Sequence, residues 1–137
     1  MQYLLETYDL DHALHPPIGH VTRPDFLQLL HFGPATAYHQ TVPILFASGS
    51  EKELNKKKTE WKEIFVPTLE KALDKYGGPF LLGNTLSAVD ISLAYDLLAV
   101  DSSKSADELF TAHPKIKAYH ENISALPFYK AIFPKKG

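Results

Sequence analysis

The stretch Leu82-Gly83-Asn84-Thr85-Leu86-Ser87-Ala88-Val89-Asp90-Ile91-Ser92-Leu93-Ala94-Tyr95 constrains the fold of this chain more than any other. It opens as a turn and continues as a helix. Ser87 followed three residues later by Asp90 reads as a capping box: the hydroxyl takes the backbone N–H of residue 90, and the carboxylate reaches back to the N–H of Ser87. Leu86 and Ile91 are placed for a hydrophobic staple across the same turn. From Ala88 to Val100 only Asp90, Ser92 and Asp96 are polar. A helix that is apolar on every side has to be surrounded, so this one predicts the centre of a helical fold.

The rest of the chain supplies the surrounding helices. Tyr3, Leu4, Leu5 and Tyr8 give residues 2–8 one apolar face, but a piece this short is marginal alone. It reads as the end of a linking helix with something missing before Met1. His15-Pro16-Pro17-Ile18-Gly19 makes residues 9–22 a loop. Thr22 is then expected to cap a helix with Pro24 in its first turn, Asp25 at the capping-box position, and Phe26, Leu27, Leu29, Leu30 and Phe32 on its apolar side. Gly33-Pro34 predicts a kink rather than an end, because helical composition resumes from Ala35 to Ala47. Ser48-Gly49-Ser50 closes that helix.

A long helix over 51–76 follows from Leu54, Trp61, Phe65, Leu69, Ala72 or Leu73, and Tyr76 at three- and four-residue steps. Pro67 should bend it, and Gly77-Gly78 should end it. Ser105 with Glu108 predicts another capping box, on a short helix over 106–112. Pro114 opens a helix with Ile116, Tyr119, His120, Ile123 and Leu126 inward, and residues 128–133 form a last short one. No alternating β-branched run and no Asn-Gly or Asp-Gly hairpin is present. The expected fold is all-α, an orthogonal bundle of about five to seven helices around a central buried helix, forming one domain over 1–137.

Composition narrows the function. At 45% apolar and 22% charged residues, a chain of 137 residues suits one soluble domain. A net charge of −2 gives no bias toward nucleic acid. The absence of cysteine excludes disulfides, thiolate metal sites and a cysteine nucleophile. The first residues lack a basic secretory n-region, and no run approaches the ~20 apolar residues of a membrane span. The expectation is a cytoplasmic protein.

Four stretches carry a family resemblance: YGGPFLLGNTLSAVDI (76–91), HPKIKAYHENISALPFYKAI (113–132), YLLETYDL (3–10) and RPDFLQLLHFGPATAYHQTVPILF (23–46). Together they resemble the C-terminal all-helical domain of cytosolic glutathione transferases. The first is similar to that family's aromatic-Leu-x-Gly followed by Ser/Thr-x-Ala-Asp, with Val89 where alanine is usual. The family's first domain, a thioredoxin-like fold of ~80 residues, supplies most of the glutathione site and the group that activates the thiol. Nothing in this chain matches it. The resemblance therefore implies no cofactor bound by this domain alone, with glutathione as co-substrate once a thioredoxin-like domain is supplied. Conjugation by this chain alone is not expected.

The resemblance also implies that the kinked helix faces a cleft and binds a hydrophobic electrophile through Tyr38 and His39, with Phe32 and Thr36 as weaker candidates. A tyrosine hydroxyl or an imidazole can donate to a thiolate or a developing charge. The alternative reading is a core aromatic at 38 and a solvated histidine at 39. Ser87 and Asp90 are read as structural, and no catalytic residue is assigned. Tyr3, Leu4, Phe32 and Tyr38 should form an apolar patch, which implies a homodimer or a partner protein over the kinked helix. A non-catalytic interaction or scaffold module is thus the second functional reading. His12, His15 and His20 share a loop, but loop spacing alone assigns no metal site. Lys56-Lys57-Lys58 is a solvated face rather than a nucleic-acid site. The sequon Asn122-Ile123-Ser124 falls in a packed helix.

Overall fold

In the computed structural model, which describes residues 1–134, seven helices follow one another among the described residues. They are α1 (Gln2–Tyr8), α2 (23–46), α3 (51–76), α4 (Ala88–Asp101), α5 (Ala106–Ala112), α6 (Pro114–Ser124) and α7 (Pro127–Ile132). No strand forms among the described residues; a single bridge joins Phe80 to Gly83. The largely apolar α4 runs through the middle, with most of its surface buried. Val89, Leu93, Ala94, Leu97 and Val100 are inaccessible to solvent. Each buried leucine there contributes about 1.5–3 kcal/mol. Around it pack α2, α5 and α6, with Trp61, Phe65 and Leu69 of α3 and Ile116 and Ile123 of α6 completing the core.

Both long helices are continuous but each contains one wide turn. In α2 it spans Gly33–Ala37, where the Tyr38 N–H reaches back to the Gly33 carbonyl. In α3 it spans Trp61–Phe65, where the Val66 N–H reaches the Trp61 carbonyl. The second lies just ahead of Pro67, the expected bend, and relieves the clash between a proline ring and the preceding turn. The two kinks meet: the Phe32 and Phe65 rings are 6.1 Å apart. Gly33 permits the approach of α2 to α4, since a Cβ there would stand 3.2 Å from Ser92 Oγ.

Helix ends follow local chemistry, not always as the sequence suggests. Gly77, at φ +63, closes α3 as expected. Ala47, at φ +47, closes α2 in place of Ser48-Gly49-Ser50. Ser50 opens α3 with a reciprocal box that was not anticipated: Glu53 N–H to Ser50 Oγ at 3.2 Å and Ser50 N–H to Glu53 Oε2 at 2.7 Å. Two expected boxes are absent. Thr22 has helical backbone angles and its hydroxyl pairs with His20 Nδ1 at 2.9 Å; Asp25 instead bonds Lys75 and the Tyr76 hydroxyl. Ser105 makes no side-chain cap, and Glu108 pairs with Lys58 at 3.0 Å. In each case a carboxylate meets a donor on a neighbouring helix, where a charge-assisted bond outcompetes an exposed cap.

The loop before α2 is built on Asp9. Its carboxylate accepts the N–H groups of Ala13, Leu14 and His15 at 2.9, 2.8 and 3.1 Å, and His15 Nδ1 at 2.7 Å. Desolvation pushes against ionisation, but the His15 bond and the backbone N–H bonds prevail and hold the carboxyl down at about 2. The Leu14 carbonyl then accepts the Ala88 N–H at 2.8 Å, docking the loop on the start of α4.

Candidate functional site

At the start of α4, Asp90 is fully buried. The expected carboxylate half of the box is present, with Ser87 N–H donating to Oδ2 at 2.9 Å. The Ser87 hydroxyl, which also faces the N–H of residue 90 in capping-box geometry, donates to the same oxygen at 3.2 Å. That N–H bonds the Ser87 carbonyl at 3.1 Å. Two further donors reach Oδ1: the Leu81 N–H at 3.0 Å and the Tyr119 hydroxyl at 2.7 Å. Asp90 thus joins the turn before α4, the helix itself and α6. Burial raises its pKa against the pull of these four donors, and burial raises Tyr119 well above the ordinary tyrosine range. Every acceptor direction is occupied, so Ser87 and Asp90 form a structural knot with no room for a substrate.

The kinked helix presents a different surface. Tyr38, the first residue past the wide turn, is 46% exposed, and its ring meets His39 edge-on at 5.8 Å. His39 is exposed and Thr36 half-buried beside them. Phe32 is half-buried and packs on Phe65 and the core, in keeping with the apolar side of α2 and not with the exposed patch. The wide turn inserts a residue into the helical repeat, so a face read at 3.6 residues per turn before Gly33 does not continue after it. Of the four residues expected in an apolar patch, Tyr3, Leu4 and Tyr38 are exposed and Phe32 is not. A groove of about 1090 Å3 between the end of α4, α6 and α7, lined by Leu98, Asp101, His120, Tyr129 and Phe133, does not include Tyr38.

Directly inside this face lies a buried polar cluster. Asp96 of α4 is 3% exposed, and Thr41 of α2 is fully buried. Thr41 Oγ1 lies 2.7 Å from Asp96 Oδ1 and 3.0 Å from the Ala37 carbonyl, the end of the wide turn. Burial, opposed only by the Thr41 bond, pushes the Asp96 carboxyl up to about 6. The Gln40 side chain is also buried, its Oε1 without a partner among the described residues. These groups are closed to a solute, and Thr41 and Gln40 lie on the helix that carries Tyr38. Sequence reasoning missed them. The one available signal was Asp96, an acid outside the capping box in a largely apolar run.

The remaining sequence candidates are occupied structurally. His15 pairs with Asp9, and His12 packs edge-on against it at 4.7 Å. Lys57 pairs with Glu60 and Lys58 with Glu108. Asn122 donates to the Pro79 carbonyl at 3.1 Å. No cluster of three or more His, Cys, Asp or Glu able to hold a metal occurs among the described residues. Among them, no helix is long and apolar enough to cross a membrane.

The fold and this helix order agree with what related proteins show. The family described as the glutathione S-transferase C-terminal domain matches residues 37–131. Glutathione S-transferase alpha-1 of Rattus norvegicus is 38% identical over 73 residues, covering 53% of this chain and 32% of the relative. Glutathione S-transferase A3 of Homo sapiens is 40% identical over 73 residues, with the same 53% and 32% shares. A solved glutathione S-transferase from Actinobacillus pleuropneumoniae superposes with a TM-score of 0.70 at 20% identity, over 95% of this chain and 58% of that one, and shares the fold. The chain belongs to the glutathione S-transferase C-terminal domain family. It matches about a third of the length of these curated relatives.

Proposed function

We propose that this domain is the part of a glutathione transferase-like protein that binds a hydrophobic electrophile. The observation that carries the reading is Tyr38: an aromatic nearly half exposed, its hydroxyl without a hydrogen-bond partner among the described residues, standing just past the wide turn of α2 next to His39 and near Thr36 in sequence. An exposed aromatic on a buried scaffold offers apolar contact area and one donor for a thiolate or a developing charge. Glutathione would be held and activated by a thioredoxin-like domain, which these 137 residues do not include. This domain binds no cofactor of its own, and a cytoplasmic location goes with the reading.

The test is titration of the chain with a chloronitrobenzene, followed by NMR. Shifts centred on Thr36, Tyr38 and His39 are expected, with affinity about fivefold weaker in Tyr38→Ala, on the order of 1 kcal/mol. Binding that ignores this substitution would overturn the assignment. With glutathione added, the chain alone should not exceed the uncatalysed rate; robust turnover would overturn the division of labour.

A second reading, a non-catalytic interaction module, draws on α1. Tyr3, Leu4 and Tyr8 are 72%, 57% and 74% exposed. Clustered apolar exposure of this kind marks a surface that another protein covers. A homodimer is the simplest form of this reading. Sedimentation velocity should then give a concentration-dependent dimer; a monomer at every concentration would remove it.

A further inference from the structure

We propose that Asp96, Thr41 and the Ala37 carbonyl form a proton-operated relay that regulates the shape of the kink in α2, making Asp96 a positioning residue for Tyr38. Thr41 has one hydroxyl hydrogen and two acceptors in reach, Asp96 Oδ1 at 2.7 Å and the Ala37 carbonyl at 3.0 Å. When Asp96 is ionised it can only accept, so the hydroxyl serves the carboxylate and leaves the Ala37 carbonyl without it. When Asp96 carries a proton, it donates to Thr41 Oγ1. The Thr41 hydrogen is then released to Ala37. Polarity along the relay reverses through contacts already in place, and the helix then adjusts to the strengthened bond at Ala37. A threonine bonded back to the carbonyl one turn earlier bends a helix, and here that carbonyl ends the wide turn immediately before Tyr38.

The surroundings isolate the relay. Gly33, whose missing Cβ lets α2 lie against α4, would place a methyl 4.0 Å from Asp96 Oδ2. On α2 the titratable groups are Asp25, bonded to Lys75 and Tyr76, and His31, Tyr38 and His39, all exposed on the helix's outer side, while Arg23 pairs with Glu6. On α4 itself, Asp90 is saturated by its own donors, Tyr95 is exposed, and Asp101 lies 3.5 Å from His120. On α6, Lys115 pairs with Asp74, Tyr119 with Asp90 and His120 with Asp101, while Lys117, Glu121 and, on α5, Asp107 are exposed. Glu108 of α5 pairs with Lys58. Thr41 is the one side chain bonded to Asp96 among the described residues.

The consequence for ligand binding rests on the binding role proposed for Tyr38, but the relay itself does not, and the two are tested apart. The full chain is titrated by NMR between pH 4.5 and 8. The Asp96 carboxyl carbon should titrate near 6, with the amides of Ala37, Tyr38 and Thr41 following the same midpoint. Imidazoles as a class change charge over this range, and His31 and His39 stand on the same helix, so the transition alone is not diagnostic. Thr41→Val should abolish the transition at the Ala37 and Tyr38 amides. Asp96→Asn should abolish it equally, and covers the case in which the valine variant fails to fold. Kink amides that stay flat while Asp96 titrates in the parent, or that keep their transition in either variant, would overturn the relay. Failure of the chloronitrobenzene to bind at any pH would sink the binding role and leave the relay standing.

Discussion

Two buried aspartates sit on the same central helix and have been given opposite environments. Asp90, in the first turn, accepts from two backbone N–H groups, a serine hydroxyl and a tyrosine hydroxyl. Asp96, in the middle, has one threonine. Both are raised in pKa by burial. At Asp90 the carboxylate is the hub of a closed network. At Asp96 it is under-supplied, and burial costs more than the single bond returns. A carboxylate at a helix start can collect orphan N–H groups and the positive end of the dipole. In mid-helix every neighbouring N–H is already committed, and only side chains remain.

The contrast is sharpest in Asp90→Ala. Removing the hub strands the Leu81 and Ser87 N–H groups and the Tyr119 hydroxyl in the interior, at about 3–4 kcal/mol in total. Denaturant unfolding measures it; a loss under about 1 kcal/mol would make Asp90 no different from an ordinary exposed cap. Asp96→Asn should act in the opposite direction. The folded-state pKa of Asp96, about 6, lies above the unfolded value. Its stabilising contribution is therefore complete below about pH 4 and lost as pH rises through about 6, by about 2–3 kcal/mol. Asparagine cannot ionise, so the variant should gain stability over the parent at pH 7.5 and match it near pH 4. Equal stability at both pH values would end the comparison.

Tyr119→Phe trims the Asp90 network by one donor and should cost about 1–2 kcal/mol. Most of the hub survives, so the melting temperature should fall less than in Asp90→Ala. The smallest effect concerns the loop carboxylate Asp9, which is held down at about 2. Its contribution is present above about pH 4 and lost as pH falls through about 2, the reverse of Asp96. Acid unfolding of Asp9→Asn should show a shallower loss over that interval; an unchanged acid limb would show that the loop adds nothing.

What could be read from the sequence was what repeats or punctuates. The apolar run of α4, the Ser87–Asp90 spacing, Gly77 and the kink at Gly33-Pro34 all declare themselves within a few residues of their own position. What could not be read were pairings across helices. Nothing near Asp90 points to Tyr119, nothing near Asp25 points to Lys75 and Tyr76, and nothing near Asp96 points to Thr41. Phe32 was legible as part of the apolar side of its own helix, whereas its place in an exposed patch followed from the resemblance and not from any local signal. The Ser50–Glu53 box was legible in principle, but Ser48-Gly49-Ser50 carried a competing signal as a terminator. The fold was accordingly clearer than the site, because a fold is specified by many local signals and a site by a few distant contacts.

The bond from Ala88 N–H to the Leu14 carbonyl has a consequence for how the molecule breathes. Ala88 is the first residue of the most buried helix, and its amide is one of the four at a helix start with no carbonyl of its own helix to bond. Its shelter comes from a loop that is itself gathered around the partly buried Asp9 carboxylate. Hydrogen exchange at the head of α4 is therefore governed by the loop lifting away, a small local excursion, while the amides of Leu93 and Leu97 wait for global unfolding. The helix at the centre of the fold is thus kinetically two things at once, a sealed shaft with a hinged cover over its end.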